Sequence, residues 1–197
     1  MKKCNDLLEL AKKNNGTITI SMAEEMGYSR GNIKYLVDAG YLEHTSRGVY
    51  SLPDVWEDQY VVLQNRYKKG IYSLDSALFL CGLSEEIPSR ICMTFPLTYN
   101  ITNPKNDGII CKNIKNELYE LGVVLMETPD GNKVHSYNAE RTICDILRPV
   151  NHMDSRVISA AIKHYLSGEV TNIPLLTEYA VKLKIEAKLK TYLEVLM

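Results

Sequence analysis

Glycines at positions 16, 27 and 40 cut the first forty residues into segments each just long enough for a short helix. That punctuation constrains the fold more than anything else in the chain. In "NDLLELAKKN" the residues Leu7, Leu8, Leu10 and Ala11 recur at helical spacing, and Gly16 closes the segment. "TITI" is a short β-prone run. "SMAEEMG" then reads as a brief helix with Ser21 as its cap and Gly27 as its stop. A third helix is expected to start from Ser29, to bury one face made of Ile33, Leu36 and Val37, and to end at Gly40. Beyond it, "YLEHT" and "GVYSL" flank "SR", two β-prone runs turned on a Gly-containing connection. Helix, short strand, helix, turn, helix and hairpin, in that order, make a winged helix-turn-helix, with 28–40 as recognition helix and 41–52 as wing.

One stretch of this module spells a catalytic pattern. "GYSRG" at 27–31 matches the G-x-S-x-G of a serine hydrolase's nucleophile elbow. An elbow needs a strand before the serine and a sheet beneath it. Here the preceding "MAEEM" favours a helix, and only 28 residues come before Ser29. His44, the nearest histidine, falls in the hairpin. Ser29 is expected to be a helix cap.

The rest of the chain is of a different kind. "PDVWEDQYVVLQNRYKKG" predicts a linking helix over 53–70 that starts at Pro53, and "YSLDSALFLCGLS" predicts an apolar helix capped by Ser73 and ended by Gly82. "SRICMTF", between Pro88 and Pro96, reads as a strand. "TYNITNPKNDG" is turn-rich, and "IICKNIKNELYELG" is mixed. "VVLMETPDGNKVHSYN" is strand, turn, strand, and "NAERTICDILRPV" is a helix capped by Asn138 and stopped before Pro149. From Asp154 onward the pattern is helical, with Pro174 starting its second helix. The expected fold class is therefore α+β: a winged helix-turn-helix over 1–52 followed by a larger mixed α/β domain over 53–197.

Charge by itself points to no partner, because 23 Lys and Arg stand against 24 Asp and Glu. The arrangement is more informative. With Ile33, Leu36 and Val37 facing inward, the third helix leaves Gly31, Lys34, Tyr35 and Asp38 on its outer side, and Arg30 and Asn32 flank its first turn. A recognition helix reads base edges with its N-terminal outward side chains, Arg pairing with guanine and Asn with adenine. Ser29, Arg30, Gly31, Asn32, Lys34 and Tyr35 are thus the candidate DNA-reading set. Lys34, Lys2, Lys3 and Arg47 at the hairpin tip are candidates for phosphate, and Thr45 and Ser46 of the wing are further candidate DNA contacts. Arg66, Lys68, Lys69, Lys182 and Lys184 are possible additional phosphate contacts, although a solvated helix surface is the favoured reading for them.

Other chemistries find little support. Cys4, Cys81, Cys92, Cys111 and Cys144 are odd in number and scattered, without a C-x-x-C pair, so neither a disulfide framework nor a zinc site is expected. No Walker loop, H-E-x-x-H or kinase signature occurs, and no cofactor or metal is expected. The N-terminus lacks the apolar run of a signal peptide, and no stretch is long enough to span a membrane. A cytoplasmic protein is expected. "AERTICDILR" sets Glu140, Arg141, Asp145 and Arg148 at helical ion-pair spacings, which fits either exposed pairs or a buried polar cluster.

Four segments, "YLVDAGYLEHTSRGVYSL", "RYKKGIYSLDSALFLCGLS", "TFPLTYN" and "YNAERTICDILR", taken in this order, resemble the AbiEi family of type IV toxin–antitoxin systems. The resemblance runs from about residue 5 to about residue 190. It implies a non-enzymatic antitoxin that also represses its own operon by binding inverted repeats in the promoter. It implies neutralisation of a nucleotidyltransferase-like toxin without a stable complex, and a protein that is monomeric in solution and paired on DNA. Two other readings stand beside it: a helix-turn-helix fused to an enzymatic domain, and a module that grips a protein partner.

Overall fold

The computed structural model describes residues 2–168 and 171–196, with side chains from Asn5 onward. It divides into two compact units. The first runs to Lys68 and takes in Glu127–Val134; the second comprises Lys69–Met126 and the chain from His135.

The first unit contains α1 (Lys2–Lys13), β1 (Thr17–Thr19), α2 (Ile20–Glu25), α3 (Arg30–Asp38), β2 (Glu43–Ser46), β3 (Val49–Ser51) and α4 (Gln59–Arg66). The three strands form an antiparallel sheet in the order β1-β3-β2, with Thr17 and Glu43 both registered on Ser51. This is the winged helix-turn-helix order expected from the glycine spacing. The apolar residues chosen by periodicity converge: Leu7 and Ala11 of α1, Ile33 and Leu36 of α3, with Ile18, Ala23 and Leu42, make the core. Burying each large aliphatic chain there contributes about 2 kcal/mol. Gly16, Gly27 and Gly40 all take positive φ, at 83°, 79° and 74°, so each ends its segment by turning left-handed, where a side chain would strain.

Two details differ from expectation. The cap of α2 is Thr19, whose hydroxyl accepts from the Met22 N–H at 3.2 Å, rather than Ser21. Thr19 is the last extended residue of β1, so the helix begins two residues earlier, and the Ser21 hydroxyl instead accepts from Lys68 Nζ at 2.6 Å. The linking helix does not start at Pro53. Asp54 sits at φ 68°, and α4 begins only after Asp58, whose carboxylate accepts from the N–H groups of Tyr60 (2.9 Å) and Val61 (3.3 Å). A buried carboxylate facing unpaired N–H groups is the stronger start signal. Asp58 also accepts from Thr128 Oγ1 at 2.6 Å and Asn132 Nδ2 at 2.9 Å, both in the 127–134 segment of the same unit.

The second unit is built on β4 (Ile71–Tyr72), β5 (Cys92–Pro96), β6 (Ile110–Ile114), β7 (Val123–Glu127) and β8 (Lys133–Tyr137), ordered β6-β5-β4-β8-β7; the two hairpin strands, β7 and β8, run into the 127–134 segment. β4 runs antiparallel to β5 and parallel to β8, and β5 runs parallel to β6. Helices α5 (Leu74–Leu80), α8 (Ala139–Leu147), α9 (Ser155–Ser167), α10 (Ile173–Leu183) and α11 (Glu186–Leu196) supply the main core through Leu78, Ile143, Ile146, Leu147, Ile162 and Leu176. Asn138 caps α8 as expected, accepting from the Arg141 N–H at 3.0 Å. The turn-rich stretch holds a short helix, α6 (Thr102–Asn106), and the mixed stretch resolves into β6 and α7 (Asn116–Tyr119). The C-terminal helical region is broken at Lys184, which takes φ 57° between α10 and α11. The fold class is α+β.

Candidate nucleic-acid interface

The outer face of α3 is where the sequence places base reading, and its local construction is well defined. Ser29 is extended (φ −86°, ψ 161°) and begins the helix. The Asn32 Oδ1 accepts from the Ser29 N–H and from the Ser29 hydroxyl, each at 3.0 Å. That contact returns the helix's third residue onto its cap and satisfies a donor that would otherwise face water. It also constrains Asn32 chemically. Bidentate pairing with adenine needs both the amide oxygen and the NH2 group. With the oxygen engaged in the cap, only the NH2 remains for a ligand.

Arg30, Gly31, Lys34 and Tyr35 are exposed. Arg30 Nε lies 3.4 Å from Glu24 Oε1, and both side chains are more than half exposed. A pair of this kind contributes only tenths of a kcal/mol and releases readily to a phosphate or a guanine. A Cβ built on Gly31 would meet only the Ser29 hydroxyl, at 3.5 Å, so nothing in the free protein requires glycine there. Beneath this face Tyr28 donates to Asp6 Oδ2 at 2.7 Å, joining the turn before α3 to α1. That hydrogen bond, followed by desolvation, raises the Tyr28 pKa above its usual value.

At the wing, Gly48 (φ 79°) makes the turn and Arg47 is exposed at the tip. The turn is tied down from behind. The Arg47 carbonyl accepts from Asn65 Nδ2 at 3.1 Å, and the Gly48 carbonyl accepts from the Ile20 N–H at 3.0 Å. Thr45 and Ser46 are half-buried, and the Thr45 hydroxyl donates to Ser51 Oγ at 3.2 Å, within the hairpin. Of the wing residues, Arg47 is the exposed cation. The side chains of Lys2 and Lys3 lie outside the described residues.

The additional cations fall in different places. Arg66 is exposed on α4, its guanidinium 5.5 Å from the centroid of the Tyr67 ring, and Lys68 is held by Ser21. Lys69, Lys182 and Lys184 belong to the second unit, where Lys182 Nζ pairs with Glu178 at 2.6 Å.

Residues 5–53, all within the first unit, match the model of a family described as a transcriptional regulator, AbiEi antitoxin. The family resemblance read from the sequence is borne out over that segment. Among solved structures the chain is similar to the RV2827C protein from Mycobacterium tuberculosis, at 12% identity and a TM-score of 0.46, over 98% of this chain and 81% of that one. No curated protein matches it.

Outside residues 5–53, the "AERTICDILR" segment proves to be a buried polar cluster. Arg141 is fully buried and donates from Nε to Asp145 Oδ2 at 2.9 Å and from Nη1 to the carbonyl of Leu121 at 2.7 Å. Its guanidinium lies 4.2 Å from the centroid of the Tyr137 ring. Glu140 accepts from the Tyr165 hydroxyl at 2.9 Å. Arg141 is sealed from solvent, so the cluster organises the core of the second unit rather than meeting a substrate. The same unit has an open cleft of about 810 Å³ holding Asp75, Glu86, Arg90, Arg156 and His164. Burial raises the pKa of Asp75, against a lowering hydrogen bond from the Cys92 thiol at 3.9 Å. Among the described residues no group of three or more His, Cys, Asp and Glu could hold a metal ion, and no described helix is long and apolar enough to cross a membrane.

Proposed function

We propose that this chain is a type IV antitoxin that represses its own operon, with residues 1–52 reading inverted repeats in the promoter and residues 53–197 carrying the antitoxin activity. One observation supports it above the others. The first turn of α3 offers Arg30, Gly31 and Lys34 to solvent while Ile33 and Leu36 anchor the opposite side, the presentation a recognition helix needs in a major groove. Arg30 reads guanine. Tyr35 and the Asn32 NH2 line the same surface, and Lys34 and Arg47 take phosphate.

Two copies occupy adjacent half-sites, and cooperativity arises through shared DNA bending or contacts formed on the DNA, with the free protein monomeric. The antitoxin role, against a nucleotidyltransferase-like toxin and without a stable complex, follows from the family relation rather than from any surface of the second unit.

Fluorescence anisotropy tests the repressor role, with the operon's upstream DNA against a scrambled duplex at several salt concentrations. Specific binders favour their site by about a thousandfold or more, with steep salt dependence. Equal affinity for the two duplexes would remove the recognition-helix reading. The antitoxin role is tested separately, by growth of cells expressing the toxin with the full chain or with the chain lacking DNA affinity.

A further inference from the structure

Trp56 is the only tryptophan in the chain and is 90% exposed. Its exposure is not that of a loose loop. On one side, Val55 packs so closely on Gly16 that a Cβ there would lie 2.6 Å from Val55 Cγ2. On the other, Asp58 is buried under four hydrogen bonds from Tyr60, Val61, Thr128 and Asn132. Asp54 is held at φ 68°, a conformation that costs a non-glycine residue energy and that tends to persist where a segment has a task. Residues 54–58 are therefore pinned at both ends, with the largest apolar side chain in the protein turned outward between the pins. An indole in that position gives the fold nothing; it is a ready anchor for a partner.

The surroundings say what kind of partner. Trp56 borders a cavity of about 440 Å³ whose other side is lined by Glu43, His44 and Thr45 of β2 and by Ser51 of β3; β2 is at the edge of its sheet, with no strand along its outer side among the described residues. Glu43, Asp54 and Glu57 line this cavity, all exposed, and it includes no Lys or Arg. His44, on the same wall, is steadied by an edge-on contact with Tyr50, ring centroids 5.2 Å apart. Three carboxylates repel a phosphate backbone, so this side of the wing is unsuited to DNA. They suit lysine or arginine side chains, and an exposed indole adds a cation–π site to the same surface. The open edge of β2 offers backbone hydrogen bonds to an extended chain.

We infer that the groove between β2 and Trp56 is a protein-docking site that takes an extended, lysine- or arginine-bearing segment of a partner protein, added as a strand along β2. This goes beyond the DNA-binding reading and does not depend on it, because the groove uses none of the residues assigned to DNA apart from the half-buried Thr45.

Because Trp56 is the sole tryptophan, its emission reports this site in the intact chain. The probe is a heptapeptide of alternating lysine and threonine; the control is the same peptide with glutamate in place of lysine. The expected result is a saturable change in Trp56 emission with the lysine peptide alone, weakening as salt rises. The triple variant E43Q/D54N/E57Q should bind about tenfold more weakly or worse; asparagine tolerates the backbone of position 54, and all three positions are exposed, so folding is preserved. A dye-labelled lysine peptide followed by anisotropy extends the test to Trp56→Ala, expected to lose affinity to a similar degree. Three results would each overturn the inference: no emission change with the lysine peptide, an equal change with the glutamate peptide, or unchanged affinity in the triple variant. Emission that shifts with duplex DNA alone, or with protein concentration alone, would assign the groove to DNA or to a second copy and equally overturn it. A failed promoter-binding measurement leaves this experiment unaffected.

Discussion

At the scale of single residues, the DNA-facing assignments separate by what each side chain already does in the free protein. Arg30 is restrained only by an exposed pair with Glu24, whereas Asn32 has committed its amide oxygen to the helix cap. Arg30→Ala is therefore expected to relax discrimination between operator and scrambled DNA, by about 1–3 kcal/mol at one base position. Lys34→Ala and Arg47→Ala should weaken both duplexes alike and reduce the salt slope by about one per lost contact. Anisotropy titrations of the three variants at several salt concentrations distinguish these outcomes; a normal slope for Arg47→Ala would take the wing tip off the DNA. Arg141 is the opposite kind of residue, wholly internal and paired with Asp145. Arg141→Met removes the cation and leaves a carboxylate buried beside Arg148, whose Nη1 is 3.5 Å from Asp145. The expected loss is about 3–5 kcal/mol in urea unfolding. Adding Asp145→Leu should recover much of it, since a buried ion pair replaced on both sides by apolar groups is often neutral. The sequence offered both an exposed-pair and a buried-cluster reading for this segment, because i,i+4 spacing is the same in either. Burial is decided by neighbours distant in the chain, here the carbonyl of Leu121.

At the scale of elements, α3 lets folding and binding be separated at one position. Gly31 has a negative φ and only the Ser29 hydroxyl near its missing Cβ. Gly31→Ala should thus leave stability unchanged or raise it by up to about 1 kcal/mol, the difference in helix propensity. If the first turn of α3 lies against base edges, the same methyl group lowers DNA affinity. Thermal unfolding and anisotropy on this one variant give the two answers, and a more stable protein with unaltered DNA affinity would move the interface away from Gly31. The winged module was legible because its signals are local: three positive-φ glycines, a capping serine and an apolar face at 3.6-residue spacing. Misreadings occurred where two local signals competed. Thr19 and Ser21 are both capping residues, and the backbone of β1 decided for Thr19. Pro53 and Asp58 both start helices, and Asp58 won through partners at 128 and 132 that lie far along the chain. For the same reason Trp56, read as part of a helix, lies instead in the irregular stretch that precedes one. Its signal was present in "PDVWED", a lone tryptophan among acidic residues, but the sequence does not reveal that Val55 and Asp58 would be anchored on either side of it.

At the scale of the whole molecule, the scattered cysteines become a measure of integrity. Burial pushes the Cys81 and Cys144 thiols up to about 12 and Cys92 up to about 11, against an ordinary value of 9.0. Each folded thiol holds its proton at pH values where the unfolded thiol has lost it. The unfolded state therefore binds fewer protons above pH 9, and stability must fall as pH rises through the window from about 9 to 12, by at most about 1.4 kcal/mol per pH unit for each thiol. Below pH 9 these groups exert no such slope. The burial that depresses thiolate formation also blocks reagents, since the thiolate is the reactive species. At pH 8 the native chain should alkylate slowly at the buried Cys92 and Cys144, and quickly in urea, so peptide mass mapping after a short iodoacetamide pulse reports whether the second unit has opened. Both thiols lie in the second unit, and the first unit contains only Cys4, so labelling at the two tracks the second unit by itself. Rapid native-state alkylation at Cys144, whose thiol donates to the Leu176 carbonyl at 3.7 Å inside the α8–α10 core, would contradict the packing that defines that unit.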